Sequence, residues 1–177
     1  METLKKFSEV LRGELASNER GVLIVSGGFM RKQGWSALPI EGCYLSDVDV
    51  SILNTYVPCF GSELASSFAL SGELDFYSSE SPWALSSVEL TSPDASVLRY
   101  GNRPYMLVGP SFSWAIYLNN PADLMVFFGP IAVVGKILHH YRSEALRSLE
   151  NNPDIALHYW EQNFIYIGSL ANEPIKD

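Results

Sequence analysis

The sequence predicts a single α+β domain spanning residues 1–177: an antiparallel sheet built around residues 105–129, packed by an N-terminal helix and two C-terminal helices. Three observations predict it. Three apolar runs follow one another between residues 105 and 128, separated by connectors rich in turn-forming residues. Apolar residues recur at helical spacing near both ends of the chain. No linker, internal repeat or second hydrophobic block divides the 177 residues, a length that suits one well-buried core.

The sheet is the clearest element. In PYMLVGPSFSWAIYLNNPADLMVFFGP the runs Tyr105–Val108, Trp114–Leu118 and Leu124–Phe128 are joined by GPSFS and NNPAD, whose glycine, prolines and asparagines supply the dihedrals of tight turns. This reads as an antiparallel meander. The runs do not alternate with polar residues, so both faces of the sheet should be covered. Upstream, GVLIVSGG reads as a short buried strand bounded by glycines, FMRKQGWSALPIEG as a loop, and YLSDVDVSIL (residues 44–53) as a second strand, because its acids and apolar residues alternate. Between residues 62 and 96 frequent serines are mixed with large apolar side chains, which suits short edge strands and turns.

Helices complete the layers. Leu4, Phe7, Leu11 and Leu15 predict an amphipathic helix over residues 2–17. Pro130 can open a helix without losing a hydrogen bond, and Ile131, Val134, Leu138, Tyr141, Ala145 and Leu149 continue one stripe to residue 150. Asn151-Asn152-Pro153 ends that helix and starts another. Its apolar side is Ala156, Trp160, Phe164 and Ile167, and FIYIG is a competing last strand.

Composition narrows function. Hydrophobic residues make up 47% of the chain, which excludes wholesale disorder. A formal charge of −8 repels polyphosphate backbones and attracts cationic surfaces, so the expected partner is a basic protein, with no nucleic acid and no membrane. The first twenty residues lack the apolar segment of a signal peptide, and no apolar window reaches the ~20 residues of a membrane helix. Cys43 and Cys59 have no CxxC spacing and fit buried thiols in a reducing compartment, although one bridge between them remains open. A cytoplasmic setting is expected.

His139 and His140 are about 100° apart on a helix and cannot share a metal from one face. Gly27-Gly28, with Arg31 and Lys32 after them, match neither GxGxxG nor a Walker loop. Trp35 lies in a polar, glycine-containing stretch and is the tryptophan expected to be exposed. Glu41, Asp47, Asp49, Glu63, Glu73, Asp75 and Glu80 concentrate acidity in the middle of the chain, where Arg31 and Lys32 are the only bases between Gly21 and Thr91. With Trp35 they form the expected partner-binding set, in which acids steer association and a few aromatics supply most of the hold.

Two resemblances carry further expectations. SDVDV, preceded by Ser26-Gly27-Gly28 after GVLIV, resembles the acid-apolar-acid strand of the nucleotidyltransferase superfamily. That resemblance implies a magnesium-dependent enzyme with Asp47 and Asp49 as paired ligands and Asp75 as the third. The same tripeptide is also the pattern of any half-exposed strand. SWAIYLNNPADLMVFFG resembles a hairpin of small bacterial immunity proteins, cytosolic inhibitors of secreted toxins, with Trp114, Asp123 and Gly129 at the matching positions. It implies a non-enzymatic binder that needs no cofactor and neutralises a cognate protein toxin. This is the leading expectation, with Asp47 and Asp49 on the exposed side of a strand facing the partner.

Overall fold

The computed structural model describes residues 15–17, 22–42, 44–57, 60, 65–69, 83–85, 104–109 and 113–162. Their elements, in chain order, begin with strands β1 (Leu15–Ser17) and β2 (Leu23–Val25), helix α1 (Gly27–Gln33), strand β3 (Trp35–Glu41) and helix α2 (Asp47–Tyr56). Strands β4 (Ala65–Ala69), β5 (Trp83–Leu85), β6 (Tyr105–Val108), β7 (Ala115–Asn119) and β8 (Leu124–Pro130) follow. Three helices close the described chain: α3 (Ile131–Leu138), α4 (Arg142–Asn151) and α5 (Pro153–Gln162).

The meander forms as the sequence predicts. β6, β7 and β8 pair antiparallel in sequence order, within a sheet ordered β3-β8-β7-β6-β4-β5 among the described residues. The β7–β8 connection is a single 3-10 turn, Asn120–Ala122, in which the Asn119 side chain accepts from the Ala122 N–H at 3.2 Å and donates to the Tyr117 hydroxyl at 2.7 Å. Asp123 ends it in the left-handed region, φ 46°, where aspartate is tolerated better than most non-glycine residues. β1 and β2 form a separate antiparallel ribbon, Leu15 opposite Val25.

Both faces of the β3-β8-β7-β6 part of the sheet are buried, as expected for the meander. Successive side chains of β7 point alternately into two cores: Ile116 and Leu118 into one, Ala115 and Tyr117 into the other. The first core is closed by Val50 and Leu53 of α2, Val134 and Ile137 of α3 and Ala145 of α4. The second is closed by Phe29 and Met30 of α1 and Ile155 and Tyr159 of α5. The fold is therefore a sheet between two layers of helix, and each Leu, Ile, Val or Phe buried there contributes about 1.5–3 kcal/mol relative to exposure.

Several local expectations are corrected. Residues 15–17, the end of the predicted N-terminal helix, are strand, because Leu15–Ser17 find hydrogen-bonding partners in β2; the earlier part of that prediction lies outside the described residues. The predicted loop 29–42 is a helix and a strand. Ser26 caps α1 by accepting from the Phe29 N–H at 3.0 Å, and Gly34 stops it at φ 67°, a conformation that favours glycine. Pro39 is accommodated because β3 is an edge strand among the described residues, where a missing N–H need not break a ladder bond.

The predicted strand 44–53 is helix α2. Helical burial at Val50, Leu53 and Val57, spaced i, i+3, i+7, wins over the period-two alternation of DVDVSI. At the other end, the single helix expected over 130–150 is two. The turn at 139–141 tightens to bonds from His140 N to Ile137 O (3.0 Å) and Tyr141 N to Leu138 O (3.1 Å), then α4 begins. The break preserves the phase of the apolar stripe, so Val134, Leu138, Tyr141 and Ala145 are all buried although they are spread over two helices and the turn between them; Ile131, at the stripe's start, is exposed. Of SSFAL, read as strand or helical turn, residues 66–69 lie in β4 and Leu70 lies outside the described residues. The predicted FIYIG strand lies outside the described residues, as do Phe164 and Ile167.

A candidate partner-binding surface

The start of α2 is built by a capping box. The Ser46 hydroxyl accepts from the Asp49 N–H at 3.2 Å, while Asp49 Oδ2 accepts from the Ser46 N–H at 2.7 Å and the Ser46 hydroxyl at 2.6 Å. Both acids also lie at the helix's positive end, where a carboxylate is favoured. The other oxygen of Asp49, Oδ1, accepts from the Tyr141 hydroxyl at 2.8 Å. Burial first, and then the Asp49 carboxylate, push the Tyr141 hydroxyl well above the ordinary tyrosine range, so it remains a donor. One turn beyond the middle of α2, Tyr56 meets His140: hydroxyl to Nε2 is 3.1 Å and the ring centroids are 5.2 Å apart.

This geometry divides the two acids by role. Positions 47 and 49 are separated by about 200° around the helix axis, so the side chains do not share a face as they would on a strand. Asp49 turns inward and its oxygens are engaged by Ser46 and Tyr141; Asp47 is exposed. The strand on which paired metal ligands were expected is absent. Among the described residues no group of three or more His, Cys, Asp or Glu side chains could hold a metal ion. Asp75, the third expected ligand, lies outside the described residues, as do Glu63, Glu73 and Glu80 and the cysteines.

The remaining expected contacts are distributed differently. Trp35 is buried, 7% exposed, with its ring edge-on to Phe29 at 6.1 Å. Its polar sequence neighbours misrepresent its position because they belong to a helix C-terminus and an edge strand. Glu41 ends β3 and pairs with Arg147 of α4; Asn151 donates to its second oxygen at 3.1 Å. The hydrogen bond to Glu41 raises the Arg147 guanidinium further above its ordinary value, but the group is solvent-exposed and such pairs contribute little to stability. His158 lies beside the Val25 carbonyl, Nε2 to O 3.3 Å, and Gly27 and Gly28 are the first two residues of α1.

What sequence reasoning missed is the apolar part of the surface. Tyr44, 48% exposed, and Val48, 67% exposed, flank Asp47 at the start of α2 and are two of the large hydrophobic side chains left outside the core. The signal was present in Ser46-x-x-Asp49, an N-terminal capping pattern that places residue 48 on the opposite side of the helix from the buried row. Replacing Ser46 by alanine should remove the cap and destabilise the protein by about 1 kcal/mol, a fall in Tm of roughly 2–4 °C by thermal unfolding. Among the described residues no helix is long and apolar enough to cross a membrane. Compared with family models, curated proteins and solved structures, the chain matches none of them.

Proposed function

We propose that this chain is a non-enzymatic, cytosolic binding protein of the immunity or inhibitor type, which neutralises a cognate protein toxin by covering a basic surface on it. The observation that carries the reading is the exposed trio Tyr44, Asp47 and Val48 on a chain of net charge −8. An aromatic and an aliphatic side chain beside a carboxylate combine the two things such an interface needs: apolar area that excludes water at the centre, and charge that steers a cationic partner. The partner set read from sequence changes accordingly. Asp47 stays as a contact acid, Asp49 supports the helix that presents it, and Trp35 is replaced by Tyr44 and Val48 as the apolar contact.

The experiment is co-expression with the product of the immediately upstream gene. The expected result is rescue of growth and a complex whose association slows as salt is raised. Val48→Asp and Asp47→Lys should each raise its Kd about tenfold or more while leaving the unfolding midpoint within a few degrees of the unaltered chain, because both positions face solvent. Absence of rescue together with absence of a complex rejects the reading.

A further inference from the structure

Helix α2 is attached to the body of the protein differently from its neighbours: α3 and α4 pack directly on β3, whereas α2 packs chiefly on α3. Its buried apolar residues are Val50 and Leu53, with Val57 just past its end. Beneath it lies a wholly apolar cavity lined by Leu53 together with Leu38, Ile40, Ile116, Ile137 and Tyr141. The gap is small, about 10 Å³, and Leu53 is the α2 side chain that borders it, so it trims the dispersion contacts of that one anchor. Two polar links to the α3–α4 corner compensate, one near each end of the helix: Tyr141 to Asp49 at 2.8 Å and His140 with Tyr56 at 3.1 Å. Asp49 and Tyr56, seven positions apart, lie on one helical face, which is why consecutive residues of a single turn reach both.

We infer that α2 is a latched flap: it opens as a unit from the cavity while the sheet and the other helices stay folded, and the Asp49–Tyr141 hydrogen bond is its principal latch. Local opening of this sort draws on the segments with the fewest buried contacts. Because α2 carries Asp47 and Val48, the latch sets how they are presented, but the flap stands whether or not those residues meet a partner.

Native-state hydrogen exchange of the full chain under low denaturant tests it. In the unaltered protein the amides of Val50 and Val57, bonded to Ser46 O and Leu53 O at 3.0 and 2.8 Å, should be at least about tenfold less protected than those of β7 and β8, with a weaker denaturant dependence. Tyr141→Phe keeps the ring and removes the latch, which is broken in the open and unfolded states alike; protection of α2 and of the sheet should both fall about tenfold. Tyr159→Phe acts on the opposite face, where it deprives the buried Val25 N–H of its acceptor at 2.9 Å. It should lower protection in β7 and β8 by about tenfold and leave α2 unchanged. Protection of α2 falling in step with the sheet in Tyr159→Phe would overturn the flap, as would equal denaturant dependence of the two regions in the unaltered chain. Unchanged α2 exchange in Tyr141→Phe would overturn the latch. If Tyr141→Phe does not fold, the unaltered chain and Tyr159→Phe decide the flap by themselves.

Discussion

Gly109→Ala should destabilise the protein by about 3 kcal/mol, lowering Tm by roughly 6–12 °C in a thermal unfolding experiment. Gly109 follows β6, and its N–H bonds to the Trp114 carbonyl at 2.9 Å, closing the β6–β7 connection. A methyl group at position 109 would lie 2.7 Å from Cδ1 of the Trp114 indole and nearer still to Nε1 and Cε2. The indole has no way to retreat. It is 0% exposed, packs on Phe60 at a centroid distance of 4.9 Å, and has Gly129 behind its Cβ. Glycine is therefore required here for close approach, since the clash is with the flat face of a buried ring. A double variant, Gly109→Ala with Trp114→Leu, separates this cause from a backbone effect: the coupling energy should be at least about 1 kcal/mol, the second change costing less once the first is made. Additive effects would contradict the packing explanation.

Ile116→Ala should cost about 4 kcal/mol, in the upper part of the range for such truncations, and lower Tm by roughly 8–16 °C. Ile116 lies at the middle of the sheet on β7, 0% exposed, and already lines the apolar cavity beneath α2. Removing its three outer carbons adds their volume to an existing void, and the cost of a cavity grows with its size. The surrounding strands are held in register on both sides, β6 and β8, so the site cannot collapse by shifting one neighbour. The enlarged cavity would stay dry and apolar, and benzene should raise the Tm of Ile116→Ala while leaving that of the unaltered chain in place. A loss below about 1.5 kcal/mol would show that the site relaxes freely.

These two expectations rest on the part of the fold that the sequence states most clearly, whereas α2 rests on the part it states ambiguously. Runs such as Tyr105–Val108 and Leu124–Phe128 are too long and too apolar for exposure, and their connectors carry glycine, proline and asparagine at the turns, so local chemistry alone specifies an antiparallel meander with two covered faces. The same holds for the break at Asn151-Asn152-Pro153, where proline must begin a new helix.

By itself, then, the sequence determined the α+β class, the meander, the helical C-terminal region and the acidity of the chain. Tertiary structure decided the rest. The stretch from YLSDVDVSIL to Val57 satisfies a period of two through Val48, Val50 and Ile52 and a period of 3.6 through Val50, Leu53 and Val57, and only the apolar surface waiting on the sheet, with Tyr141 positioned to meet Asp49, makes the second arrangement the one that buries more. Trp35 was hidden for the same reason. Whether a residue in a polar stretch is exposed depends on what arrives from elsewhere in the chain, here Phe29 of α1 against the edge strand, and that is a property of packing between elements.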